Sequence, residues 1–296
     1  MKKIFAVAVA TVMTVAMSVS AFAATPVYFN DFEDGAGDAK VVGSGKFVDD
    51  ADKNYGKVFH NAVDGQAQRT NYLLLPEDVL SKSADTKELT VQFWVNVGTA
   101  TDYFYTPLFS AYGAAPIDNA NTFPMMVLQS RTLAQVNCAG WSDLTVAQNK
   151  VGENKEDTTW LDDKKWHLYT ATFDEEIVKI YIDGVLKQEW DASIDDGANV
   201  DTTVAGLYSN GADLKYVCLG GNQAWGWADP DAAYMFDDVA IYNKALSEAE
   251  IKAVMTDKAA GVTPETGDFT AVLPVALVAV AAMAVVVVMK KRTVAE

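Results

Sequence analysis

The sequence predicts an all-β ectodomain, a two-sheet antiparallel sandwich closed by one short C-terminal helix, between an N-terminal signal peptide and a C-terminal transmembrane helix. Three observations carry this expectation. Two apolar, acid-free runs bracket the chain at residues 1–23 and 269–289. Between them, short segments of alternating apolar and polar residues recur between Gly, Asn and Asp turns, the period of strands with one buried face. One segment, following Leu246, carries helical start signals instead.

At the N-terminus Lys2 and Lys3 precede an apolar stretch over 4–19 and a small-x-small site, Ala21-Phe22-Ala23. That is the three-part layout of a cleaved secretory signal, so the mature chain is expected to begin at Ala24.

Over 88–97, Leu89, Val91, Phe93, Val95 and Val97 alternate with the polar Thr90, Gln92 and Asn96. This reads as a strand with one face buried and Trp94 on the other. Val178, Ile180 and Ile182 alternate with Lys179 and Tyr181, and Asp183-Gly184 then supplies a two-residue hairpin turn into 185–190. Further strands are expected over 27–32, 57–60, 70–75, 104–112, 124–129, 165–173, 214–219 and 234–242. Many short strands with such turns indicate a sandwich. Ser247 and Glu250 form a capping box ahead of Ile251, Val254 and Met255, whose single apolar stripe should dock on the sandwich edge. With no internal repeat and one linker-like stretch, residues 24–257 are expected to form a single domain.

Residues 271–289 are 19 consecutive apolar residues followed by Lys290-Lys291-Arg292. Such a run spans a bilayer, and its flanking positive charge belongs on the cytoplasmic side. This divides the C-terminus into a linker over 258–268, a transmembrane helix over 269–289 and a cytoplasmic basic tail over 290–296. The net charge of −17 is therefore a sum over unlike parts. Without Lys2, Lys3, Lys290, Lys291, Arg292, Asp268 and Glu296, residues 24–266 keep 18 basic and 38 acidic residues, a net −20. Phosphate affinity comes from clustered Lys and Arg, so a nucleic-acid partner is excluded. Disorder is excluded by seven Trp, 13 Phe and 12 Tyr, which supply ample apolar area for a core.

Four blocks carry a family resemblance. They are Tyr28-Phe29-Asn30-Asp31-Phe32-Glu33-Asp34-Gly35; Leu89-Thr90-Val91-Gln92-Phe93-Trp94-Val95; Trp166-His167-Leu168-Tyr169-Thr170-Ala171-Thr172-Phe173-Asp174 with Val178-Lys179-Ile180-Tyr181-Ile182-Asp183-Gly184; and Phe236-Asp237-Asp238-Val239-Ala240-Ile241-Tyr242-Asn243-Lys244-Ala245-Leu246-Ser247. In this order and spacing they resemble the laminin G-like, concanavalin A-like lectin/glucanase jelly roll. The resemblance implies a structural Ca²⁺ where the first and last strands meet, with Asp31, Glu33, the Gly35 carbonyl and Asp237 as the matching ligands. Carboxylate and carbonyl oxygens suit that hard ion, and Asp237 shares strand parity with Val239 and Ile241, which would turn it inward. Separately, Thr263-Pro264-Glu265-Thr266-Gly267 before an apolar span and a basic tail resembles a Gram-positive sortase sorting signal. Thr263 stands where the commonest form has Leu. The resemblance implies a sortase partner, scission between Thr266 and Gly267, and attachment to cell wall; the alternative is a plain single-pass membrane anchor.

Jelly rolls of this kind include glycanases, whose chemistry needs paired catalytic carboxylates. Retaining glycanases place two carboxyls about 5 Å apart, and enzymes of the laminarinase type show a Glu-x-Asp-x-(x)-Glu strand that this sequence lacks. Asp174-Glu175-Glu176 reads as a turn, 153–157 as a polar loop, and Glu248 and Glu250 as the helix cap. His60 and His167 lie far apart, without zinc-ligand spacing, and no Gly-rich phosphate loop joins a strand to a helix. Cys138 and Cys218 are the only cysteines; secretion permits a disulfide, and two buried thiols are the alternative. The remaining candidates are aromatic. Trp225-Gly226-Trp227 lies in a loop with Asn222, Gln223 and Asp229, and Trp141 follows Cys138-Ala139-Gly140. Sugar C–H faces pack on such rings while the amides bond hydroxyls; the alternative is that the rings pin a long loop to the sandwich. The sequence thus reads as a non-catalytic, carbohydrate-binding adhesin on the outer face of a Gram-positive cell. A protein-binding or wall-structural surface protein is the rival reading, and a glycoside hydrolase a third.

Overall fold

The computed structural model describes residues 24–52, 54–61, 71–80, 83–97, 107–112, 125–129, 134–138, 142–144, 161, 164–191, 216–221 and 233–259. The segments read as signal peptide, sorting signal and transmembrane helix lie outside the described residues, as do Trp141, Asn222, Gln223, Trp225, Trp227 and Asp229. Among the described residues no helix is long and apolar enough to cross a membrane.

Among the described residues fifteen strands form two antiparallel sheets, the two-sheet architecture that the period-2 patterning predicts. In the first, β13 (Val185–Asp191), β12 (Ile177–Ile182), β11 (His167–Phe173), β6 (Leu89–Asn96), β15 (Met235–Tyr242), β4 (Lys57–His60) and β3 (Lys46–Asp49) lie in that order. The eighth strand, β1 (Tyr28–Asn30), pairs with β15 beyond the reach of β4. The second sheet runs β10 (Ser142–Leu144), β9 (Ala134–Cys138), β8 (Met125–Gln129), β7 (Pro107–Tyr112), β14 (Tyr216–Leu219), β5 (Tyr72–Leu74) and β2 (Lys40–Val42). Two helices complete the described elements, α1 (Ser83–Thr86) and α2 (Glu248–Ala259).

Between the sheets, Phe59, Leu73, Val91, Phe93, Val95, Phe109, Tyr169, Val217, Phe236 and Ile241 belong to one buried cluster. Phe93 stacks on its cross-strand partner Tyr169 with centroids 5.4 Å apart, and meets Phe236 edge-on at 5.5 Å. Such aromatic pairs add about 0.5–1.5 kcal/mol each beyond the apolar area they bury.

Strand β6 departs from its half-buried reading, because every residue in it is buried. It sits at the middle of its sheet, and its outer face is covered. There Trp94 joins Leu168, Tyr181, Ala240, Tyr242, Leu246 and Ile251 in a second apolar cluster, with Val254 and Met255 packed against it. Two of the polar side chains of β6 find partners within this cover. Thr90 Oγ1 donates to the Lys244 carbonyl at 2.6 Å and accepts the Leu246 N–H at 3.0 Å, while Gln92 Nε2 donates to Thr170 Oγ1 at 2.9 Å. Helix α2 therefore docks on the outer face of the first sheet and not on the sandwich edge as expected. A stripe of Ile251, Val254 and Met255 needs apolar area, and Trp94, Leu168 and Tyr181 provide it on that face.

The expected hairpin forms at Asp183-Gly184, both with positive φ (52° and 68°), the backbone of a two-residue turn matched to strand twist. Asp183 also reaches sideways to β11: Oδ1 accepts the Leu168 N–H at 2.9 Å, and Oδ2 lies 2.7 Å from His167 Nδ1.

Candidate functional site

The strand registers gather three sheet-to-sheet connections at one end of the sandwich. In the first sheet, His60 of β4, Met235 of β15 and Asn96 of β6 lie abreast. In the second, Leu73 near the start of β5, Leu219 at the end of β14 and Phe109 near the start of β7 lie abreast. The strand ends joined in sequence by the connections from β4 to β5, from β6 to β7 and from β14 to β15 therefore all lie at this end. The last of these connections carries Asn222, Gln223, Trp225 and Trp227.

Asn61 anchors this end. It is fully buried; its N–H donates to the Tyr234 carbonyl at 3.1 Å, and its Oδ1 accepts the Tyr234 N–H at 2.7 Å. This closes a ring between the exit of β4 and the entry to β15. Gly220 makes room beside it at φ +91°, where a Cβ would stand 2.9 Å from the Asn61 Cβ. Its N–H donates to the Leu108 carbonyl at 3.0 Å, tying the exit of β14 to β7. Each of the three connections is thus fixed at its root. Sequence patterning did not single out Asn61; the one available signal was an Asn directly after a strand that ends at His60.

Trp141 belongs elsewhere. Cys138 pairs with Met125, Met125 with Ala111, and Ala111 with Val217, so β9 exits toward Trp141 at the end where β14 begins. The strand ends that precede Trp141 and Trp225 in the chain therefore lie at opposite ends of the second sheet.

The residues expected to hold calcium meet around β15. Opposite β6 the register slips between Asp237 and Ala240, a bulge in which Asp238 takes φ +46°. Phe236, Val239 and Ile241 face the inner core, whereas Ala240 and Tyr242 belong to the outer cluster. The extra residue breaks the parity on which an inward Asp237 was expected. Asp237 pairs with Trp94 of the outer cluster, and both it and Asp238 face outward.

Their carboxylates converge on one ammonium. Lys258 Nζ lies 2.5 Å from Asp237 Oδ2 and 2.8 Å from Asp238 Oδ2. It also sits 5.2 Å from the centre of the Tyr55 ring, which stacks on Trp166. Burial raises the pKa of Asp237, as does the Asp238 charge, against the opposing pull of Lys258. Asp238 is raised by burial as well, with Asp31 and Glu33 adding to the effect.

At the first strand, Glu33 is already committed. Its Oε1 accepts the Lys57 N–H at 3.0 Å and its carbonyl accepts Lys57 Nζ at 2.6 Å, while Asp31 Oδ1 accepts the Glu33 N–H at 3.2 Å. Among the described residues no three acidic, His or Cys side chains converge as a metal site. Calcium takes six to eight oxygens, whereas here one ammonium already holds Asp237 Oδ2 and Asp238 Oδ2, a second holds the Glu33 carbonyl, and backbone N–H groups take Asp31 Oδ1 and Glu33 Oε1, so this arrangement does not fit the ion.

A cleft of about 590 Å³ lies between the outer face of β11–β12 and the start of α2, beside Asp174, Lys179, Tyr181, Lys244 and Glu250. Its carboxylates hold structure. Asp174 Oδ1 accepts the Glu176 and Ile177 N–H groups at 2.8 and 2.6 Å. Glu250 completes the capping box with Ser247 and pairs with Lys244 at 2.6 Å. Burial pushes the Glu250 carboxyl up, but the hydrogen bonds from Lys244 and Ser247 win and hold it below its ordinary value. A general acid needs the opposite shift.

The two cysteines are separated by the sheet order. Strands β7 and β8 stand between β9 with Cys138 and β14 with Cys218. Three strand spacings are about 14 Å, and disulfides need Cα atoms within about 7 Å. This strand order favours two thiols over the disulfide, and Cys218 is a buried core residue.

Residues 65–252 match the laminin G family described as the concanavalin A-like lectin/glucanases superfamily. That is more than half of the chain, and the chain belongs to this family. No curated protein matches it. Among solved structures, the binding domain of botulinum neurotoxin serotype C1 is 12% identical over 74% of this chain and 47% of that one, with a TM-score of 0.46. Domain 4 of AbnA, a GH43 extracellular arabinanase from Geobacillus stearothermophilus solved with arabinotriose, is 16% identical over 78% of this chain and 98% of that one, with a TM-score of 0.47. The chain spans about half the length of the toxin-domain structures it matches. At these scores the likenesses carry no argument about ligand.

Proposed function

We propose that the protein is a surface-anchored, non-catalytic binding module whose ligand is a glycan, bound at the crossover end through Trp225 and Trp227 with Asn222 and Gln223. The observation that supports this reading is that the strand ends flanking three connections gather at one end of a lectin-family sandwich, and the sequence of one connection bears two tryptophans and two amides. Binding loops on a rigid scaffold work in this way, because the scaffold bears the ordering cost. Affinity per site would be modest and raised by many copies on one surface.

A glycan array tests it. Binding to at least one plant, mucin or bacterial glycan is expected, abolished by Trp225→Ala with Trp227→Ala and retained by Trp141→Ala. Silence across the array, or binding that survives the double substitution, would favour a protein-binding or wall-structural role. Release of reducing sugar from a polysaccharide would instead make it a hydrolase.

The display apparatus is part of the same proposal: export by the signal over 1–23, then retention by the span over 269–289 or transfer to wall at Thr266. Wall digestion should release the protein if a sortase acts. Recovery only in detergent-extracted membrane would leave the plain anchor.

A further inference from the structure

We propose that the Lys258 ammonium is the resident cation of the acidic site on β15, so that the last strand, the Tyr55 turn and the closing helix are locked together without a metal ion. The inference rests on the bulge and its surroundings and is independent of the glycan reading.

A regular strand sends consecutive side chains to opposite faces. The slipped register at Asp238 cancels that alternation and delivers two adjacent carboxylates to one point. An uncompensated pair of buried carboxylates would be strongly unfavourable, and the compensation here is carried by the chain itself. Lys258 lies in the last turn of α2, its side chain 18% exposed against 0% for Asp237. An ammonium has three donors and no acceptor. Two charge-assisted hydrogen bonds and one aromatic face at Tyr55 suit that compact charge.

A second lysine completes the arrangement. Lys57 Nζ takes the Glu33 carbonyl, an oxygen of the kind a divalent ion would need. The site is therefore filled by a single positive charge on a tether, and its occupancy does not depend on the ion content of the medium.

Two measurements on the full-length protein test this. In amine labelling read by mass spectrometry, Lys258 should react several-fold more slowly than Lys252 and Lys244, whose side chains are 54% and 51% exposed. Calcium at millimolar concentration should leave that rate unchanged, whereas a rate raised by calcium would show that the ion displaces the lysine and would overturn the proposal. In thermal melting, the wild type should give the same midpoint in calcium and in EGTA, Lys258→Met a lower one, and Lys258→Arg an intermediate one. A wild-type midpoint raised by calcium, or a Lys258→Met midpoint equal to wild type, also overturns it. If Lys258→Met does not fold, the labelling of the wild type decides alone.

Discussion

At Gly220 the space that a side chain would need is already taken: a Cβ there would fall 3.0 Å from the Phe236 ring as well as against Asn61, at a φ that L residues rarely adopt. Gly220→Ala is expected to cost about 1–3 kcal/mol in strain, read as a lower urea midpoint with an unchanged slope. Asn61→Ala removes the acceptor of the Tyr234 N–H inside the core and should cost a similar amount, about 1–3 kcal/mol. If the crossover end carries recognition, both substitutions also weaken glycan binding without touching a tryptophan. Asp237 gives a pH prediction at the same scale. Burial and Asp238 push its folded pKa up to about 8, well above its ordinary value. The folded chain then binds more protons than the unfolded one between those two values, so stability from this group is full at acid pH and is lost as pH rises through about 8. The groups facing it are Asp238 and Lys258, with Tyr55 beside them and Asp31 and Glu33 beyond Asp238. Relative to Asp237→Asn, the wild type should lose melting temperature from pH 5 to pH 9. A protonated Asp237 still accepts from Lys258 through Oδ2, so the lysine contact persists across this range; an opposite slope would mean that the ammonium outweighs burial at Asp237.

Elements were legible where their signal is local. Ser247 and Glu250 read as a capping box from sequence, and they form it: the Ser247 N–H and Oγ–H both reach Glu250 Oε2, at 2.9 and 2.7 Å. Ser247→Ala should cost about 1 kcal/mol, the usual loss for an N-cap, measured by thermal melting with helix content followed by circular dichroism. The hairpin turn at Asp183-Gly184 was legible for the same reason, since two adjacent residues with positive φ demand that chemistry. Strands β2 and β3 were not foreseen. Each is three or four residues long and half-exposed, so neither carries enough alternation to register. The parity of β15 was misread because a bulge is a register event between two strands, and no residue pattern within β15 announces it. The outer face of β6 was misread for a related reason. Its polar Thr90 and Gln92 are buried by partners 154 and 78 residues away.

For the whole molecule, strand order decides what sequence spacing could not. The family and the two-sheet architecture were readable because four blocks recur in a fixed order along the chain. Which ends of the strands lie together was not, since that follows from how β14 and β15 insert between earlier strands. This is why Trp141 and Trp225 looked equivalent as loop residues although their strands exit at opposite ends. The cysteines pose the same problem with a sharper answer. Eighty residues of separation allow any pairing, but the order β9-β8-β7-β14 places two whole strands between Cys138 and Cys218. Bridging them would require breaking the pairings of Met125 with Cys138 and of Ser110 with Cys218. Much of the stability must then come from the core, and Phe93, fully buried between Tyr169 and Phe236, is central to it. Phe93→Ala should cost about 3–5 kcal/mol. Thiol titration of the purified protein in denaturant without reductant should return two thiols per chain, and its melting midpoint should not move on adding reductant. A titration that returns none, restored to two by reduction, would mean that the second sheet is ordered differently.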